Sequence, residues 1–174
     1  MKIIYLAAYK AHHPNYDVTY QDINGLRDIG GDMMDVDLEP YDIIIATPPC
    51  NYYSKINRSR ETSQYSQMTK HLLPSIIQKL NNQDKPYIIE NVRSHIINEL
   101  IKNLKSFHGF IYQHGRHTYW TNIPFSPEGI KQHFEFMRVG PRGKGGTAVK
   151  LNKNVQGGFN VHDVVEYWLK VVTS

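Results

Sequence analysis

Two nearly unbroken β-branched runs, KIIYLA (2–7) and YDIIIAT (41–47), dominate the first half of the chain, and PYIIENV (86–92) is a third. Continuous apolar runs of this length are how strands buried on both faces of a parallel sheet read. GFIYQH and HTYWTNI, rich in aromatic and β-branched residues, are expected as later strands. Between the second and third runs, SQYSQMTKHLLPSIIQKLNN carries Leu72, Leu73, Ile76, Ile77 and Leu80 at helical spacing, which predicts an amphipathic helix. Pro74 falls inside that pattern and should kink the helix or set its first turn. SHIINELIKNLK aligns Ile96, Ile97, Leu100, Ile101 and Leu104 on one side of a second helix. NVHDVVEYWLKVV is a third, with Asn160 as N-cap and Asp163 three residues on. Strands alternating with helices predict an α/β fold, a mostly parallel twisted sheet flanked by helices. Residues 138–159 hold six glycines among Lys and Arg and read as a mobile basic surface loop within a single domain, 1–174.

Composition narrows the class without choosing a function. Hydrophobic residues at 40% and charged residues at 21% of 174 describe a globular chain and exclude a disordered one. No apolar run approaches the roughly 20 residues of a membrane-spanning helix. The single cysteine cannot form an internal disulfide, so a cytoplasmic location is the default expectation. The net charge of +4 is unevenly spread: the first fifty residues hold seven Asp and one Glu against three basic residues. An acidic front and a basic remainder suit a protein that keeps a cofactor at one end and a polyanion at the other, although solvated surface gives the same pattern.

The chemistry collects where two apolar runs end. YDIIIAT delivers Pro48, Pro49 and Cys50; PYIIE delivers Glu90 and Asn91. Open α/β sheets bind ligands at the carboxyl ends of their strands. Consecutive prolines stop the strand and fix the backbone, so a thiol after them is presented in one geometry, as nucleophilic catalysis requires. A lone cysteine is more often a small buried hydrophobe, and a strand-end Glu is more often surface.

Taken together and in order, these residues resemble the DNA cytosine-5 methyltransferases. TPPCNYYS resembles that family's nucleophile motif, YIIENV its Glu-Asn-Val motif, and QHGRHTYWTNIPF its later arginine-bearing motif; Asp22-Ile23 and Gly31-Asp32 stand in the order of its acidic cofactor-binding residues. The resemblance implies a reduced Rossmann-like methyltransferase fold that uses S-adenosylmethionine on double-stranded DNA, with no membrane or metal partner. It makes Cys50 the nucleophile that adds to C6 of a flipped cytosine, Glu90 the acid at N3, and Arg116 the cation at the cytosine carbonyl, with Asn91 orienting the loop. Leu6, Asp22, Ile23, Asp32, Pro48 and Asn51 would line the cofactor pocket. Ser54, Arg58, Arg60, Arg142 and Lys144 would contact DNA. Glu90 should then have a raised pKa and Cys50 a stabilised thiolate.

The chain also departs from that family. Its first strand runs into AAYKAHHPNY, with no glycine before Gly25, where the family has a Gly-rich turn. Asn51 replaces the usual Gln, and no segment is long enough for a separate target-recognition domain. A compact relative of the kind expected on phages and mobile elements fits; so does a catalytically inactive relative that binds DNA or a protein partner. The nine histidines form no metal-binding spacing. GPRGKGG lacks the Ser or Thr after Lys144 that a phosphate-cradling loop needs. Tyr52 and Tyr53, beside the nucleophile, could stack on bases.

Overall fold

In the computed structural model, residues 1–8, 11–126 and 161–174 are described, together with the backbone of 136–138 and 148–150. Six strands form one sheet: β1 (Ile3–Leu6), β2 (Val18–Tyr20), β3 (Ile43–Ala46), β4 (Tyr87–Val92), β5 (Phe110–His114) and β6 (His117–Thr121). Their spatial order is β2-β1-β3-β4-β6-β5. The first four are mutually parallel, and β6 runs antiparallel to both β4 and β5. The expectation of a mostly parallel α/β sheet therefore holds, with an antiparallel hairpin added along one side.

Each fully buried strand feeds two cores, because alternate residues point to opposite faces. Ile4, Leu6, Ile44, Ala46, Tyr87, Ile89 and Trp120 pack on one face against α2 (Leu72–Asn81) and Ile97 of α3 (His95–Asn103). Ile3, Tyr5, Ile43, Ile45, Ile88 and Tyr119 pack on the other against Val164, Val165, Trp168 and Leu169 of α4 (Val161–Thr173). Trp168 pins α4 to the sheet by donating its indole N–H to Thr121 Oγ1 at 3.1 Å. Helices thus cover both faces.

The stretch expected as one helix is two. α1 (Gln64–Thr69) is capped by Ser63 and ends at Lys70, and α2 starts again at Leu72 with Pro74 in its first turn. Proline there removes no intrahelical bond. Residues 136–138 and 148–150 form a separate antiparallel ladder, β7 and β8. The rest of the glycine-rich segment 138–159, including Arg142 and Lys144, lies outside the described residues, as does Asn160. Among the described residues no helix is long and apolar enough to cross a membrane.

The strand order also fixes where a ligand would bind. From β1 the chain moves outward to β2, then crosses back to β3 on the other side of β1. The carboxyl ends of β1 and β3 therefore flank a topological switch point, the usual crevice of an open α/β sheet.

Candidate active site

Four segments meet along the carboxyl edge of the parallel strands: the turn after β1, the Gln21-Asp22 turn after β2, Pro48–Pro49–Cys50 after β3, and the end of β4. The β5–β6 hairpin joins them, because Val92 of β4 pairs with His117 at the start of β6. Gly115, at φ +56°, makes the tight turn of that hairpin.

Cys50 is exposed in the turn after β3, with enough protein around its thiol to disfavour the charged form. Its presentation is built in three ways. Asn91, fully buried on β4, donates Nδ2 to the Pro48 carbonyl at 3.0 Å, the orienting part expected of it. The Cys50 carbonyl accepts from Tyr53 and Ser54 backbone N–H groups at 3.0 and 2.9 Å, which turns the chain immediately after the thiol. Tyr53 is buried and its hydroxyl donates to the Lys70 carbonyl, so the loop is anchored to the core and this ring is not free to stack on a base. Tyr52 is only partly buried and donates to Glu61.

Glu90 follows Ile88 on the α4 face of β4 and is nearly enclosed. Burial pushes its carboxyl up from 4.5 to about 8, as an acid that donates near neutrality requires. The thiol behaves contrary to expectation. Burial and then the nearby Glu90 charge raise Cys50 above 9.0; its own backbone N–H lowers it only partly. Both shifts favour the protonated forms, the acid up to about 8 and the thiol away from its thiolate. Glu90 is near enough to act electrostatically on Cys50, and the two residues stand at the ends of neighbouring strands.

In the arginine-bearing motif, the side chain facing Glu90 is His117, whose Nε2 lies 3.7 Å from Glu90 Oε1. The register explains it: Glu90 pairs with Tyr119, so the residue two before it on β6, not Arg116, shares its face. Arg116 lies in the hairpin turn on the same edge, and its carbonyl accepts the Arg93 N–H at 2.6 Å. His117 was not singled out in the sequence because only the register reveals it.

The turn after β1 solves the missing-glycine problem with Ala7, which takes φ +55°. This left-handed conformation costs a non-glycine residue about 1–2 kcal/mol. Gln21, also missed in the sequence, holds it. The buried Gln21 side chain accepts from Ala7 N at 2.8 Å and donates to Gly31 O, while its carbonyl accepts from Ala8 N at 2.8 Å. Thr47 Oγ1 donates to Ala7 O at 3.1 Å across the switch point. Arg27 closes the other side, stacked 4.2 Å over Tyr20 and donating to the Ala8 and Ala11 carbonyls.

The residues expected to hold the cofactor divide. Asp22 Oδ2 accepts from Asn24 N at 3.2 Å and, at 3.5 Å, from Leu26 N; its Oδ1 carries no hydrogen bond within the described residues. Ile23 beside it is 66% exposed. One carboxylate oxygen next to an exposed aliphatic surface fits a sugar hydroxyl and a flat base. Leu6 is a correction: its side chain is wholly in the core and its carbonyl accepts Thr47 N–H at 3.1 Å. Asp32 caps the short 3-10 turn Met33–Asp35, accepting Met34 N–H at 2.8 Å. Pro48 is buried with its carbonyl engaged, and Asn51 is exposed, its carbonyl accepting from Asn57 Nδ2 at 2.6 Å.

The expected DNA contacts also divide. Arg58 is exposed. Arg60 donates to the Tyr52 and Ser54 carbonyls at 2.9 and 2.7 Å, so it braces the loop after Cys50 instead of reaching outward. Ser54 is held at both its N–H and its carbonyl. Among the described residues no group of three His, Cys, Asp or Glu side chains could hold a metal ion. Compared with known proteins, the chain matches no family model and is significantly similar to no curated sequence.

Proposed function

We propose that the protein is a small DNA cytosine-5 methyltransferase that transfers a methyl group from S-adenosylmethionine to a flipped cytosine through a covalent Cys50 adduct. The observation that carries this reading is the pairing of an exposed, rigidly mounted thiol with a buried carboxyl raised to about 8 at the end of the next strand. C5 of cytosine is a weak nucleophile. Addition of sulfur at C6, with a proton supplied to N3, makes it electron-rich, and those two jobs need a thiol and a neutral acid on one rim. Cys50, its thiol proton lost to solvent, forms the S–C6 bond while Glu90 gives its proton to N3. Once C5 has taken the methyl and its own proton has passed to water, the C6–S bond breaks, N3 returns its proton to Glu90 and the ring is restored. S-adenosylmethionine, when bound, supplies the methyl group. Asp22 would hold its ribose and Ile23 would cover its adenine, with Ala7 admitting the ligand close to the end of β1. The sheet and its switch point are compatible with a reduced Rossmann-like methyltransferase fold. Lys55 and Arg58, exposed in the loop after Cys50, would contact phosphates while the base is flipped, which costs a few kcal/mol of stacking and pairing.

The test uses duplex DNA of diverse sequence containing 5-fluorocytosine, together with S-adenosylmethionine. Fluorine cannot leave C5 as a cation, so an active enzyme is trapped covalently and Cys50→Ser forms no adduct. Absence of an adduct on every duplex overturns the assignment. The second reading, an inactive relative that binds DNA or a protein, is favoured by the raised Cys50 thiol and by the engagement of Asp32, Leu6 and Arg60 in internal bonds. Calorimetry separates the two: no heat with millimolar S-adenosylmethionine supports the inactive protein.

A further inference from the structure

Glu90 and Tyr119 are direct partners across the antiparallel β4–β6 ladder, and both side chains lie on the α4 face. Tyr119 is wholly buried, yet its hydroxyl has no hydrogen-bond partner among the described residues. Buried polar atoms are almost always paired, so an orphaned phenol beside a buried acid calls for a reason.

The surroundings of Glu90 supply one. His117 and Tyr119 face it from β6, Tyr5 from β1 and Cys50 from the turn after β3. The Tyr5 hydroxyl is already engaged with the Thr47 side chain. α4, packed on the same face, carries Asp163, Glu166 and Lys170, with Glu166 turned to His13 Nδ1 at 2.9 Å. While Glu90 is protonated it is neutral and makes little demand on these groups. Once its proton has gone, a carboxylate is left in an enclosed site, where an anion needs donors. Tyr119 offers a buried O–H that no other described residue uses.

We propose that Tyr119 is the positioning residue for Glu90, its hydroxyl donating to the carboxylate that Glu90 becomes on losing its proton. Burial keeps the acid neutral at rest, and the phenol receives it as an anion after the transfer, so the proton can leave without the side chain swinging toward solvent. That Glu90 loses its proton during a catalytic cycle rests on the methyltransferase reading; that Tyr119 receives the carboxylate does not.

The experiment follows the Glu90 carboxyl by carbon NMR in protein with labelled glutamate, the signal assigned by its loss in Glu90→Gln. Tyr119→Phe removes only the unpartnered hydroxyl, and the Glu90 midpoint should move up by about one unit, the worth of a hydrogen bond to a charged group. Tyr87→Phe removes an equally unpartnered phenol on the opposite face and should leave the midpoint in place. 3-Fluorotyrosine incorporated at position 119, a more acidic donor, should move it down. An unchanged midpoint in Tyr119→Phe, or an equal shift in Tyr87→Phe, overturns the proposal. These outcomes are read without any methyl transfer, so a wild-type protein that forms no DNA adduct but shows the Tyr119 shift rejects the proposed function and keeps the positioning role.

Discussion

Asn91 donates its side-chain N–H to the carbonyl of Pro48 across 3.0 Å, tying β4 to the turn that carries Cys50. The residue after Glu90 thereby fixes the turn that carries Cys50.

Breaking that tie should separate stability from reactivity. Asn91→Ala leaves the Pro48 carbonyl buried and unpaired, which costs about 1–3 kcal/mol in urea unfolding. A thiol displaced by even an ångström should slow adduct formation with the 5-fluorocytosine duplex on the order of 100-fold, a larger loss than the stability change explains. Parallel unfolding curves and trapping rates check both figures.

Glu90 makes the fold pH-sensitive in a defined direction. A carboxyl raised in the folded state binds its proton more tightly there than in the unfolded chain, so its contribution is fully present below pH 4.5 and is lost as pH rises to about 8. At about 1.4 kcal/mol per unit, the loss is on the order of 4–5 kcal/mol. Glu90→Gln should abolish most of this slope and be more stable than the wild type at pH 8, as measured by denaturant unfolding across the range.

The thiol should be slow toward small alkylating agents at pH 8, because burial and then Glu90 hold it above its ordinary value. Glu90→Gln removes the second of these causes, so iodoacetamide should modify Cys50 faster in that variant at the same pH. A slower or unchanged rate would show that the two groups do not share a site. By the same logic, adduct formation with DNA should rise with pH as the thiolate appears and fall once Glu90 ionises above about 8.

Ala7 should accept one replacement and resist another. Ala7→Gly relieves the positive φ, offset in part by the extra freedom of glycine when unfolded, and should leave stability equal or about 1 kcal/mol higher. Ala7→Val places a β-branched side chain in the same conformation and should cost on the order of 2 kcal/mol or more. Thermal melting of the two variants distinguishes a strained turn from a merely small one.

The strands that carry Cys50 and Glu90 were legible because a run buried on both faces is apolar at every position, and such runs announce both their length and their end. β2 was not legible: its three residues, Val18–Tyr20, are each only partly buried and leave no periodic signature. The split of α1 from α2 was hidden because Lys70 and His71 continue the polar side of the helical pattern and both keep right-handed helical dihedrals. Local sequence also left a neighbour unseen: the non-local β4–β6 register puts His117 beside Glu90, while Arg116 lies in the hairpin turn on the same edge. The acidic residues read as ligands for a cofactor were partly local caps, since Asp is as suited to hold its own turn as to hold a sugar.

Trp168 and its neighbours on α4 seal the face of the sheet on which Glu90 lies. Synthesis reaches this helix only after every strand it covers has left the ribosome. Until it docks, the face on which Glu90 lies is open to water. The enclosure of that face is completed by the last described element to emerge.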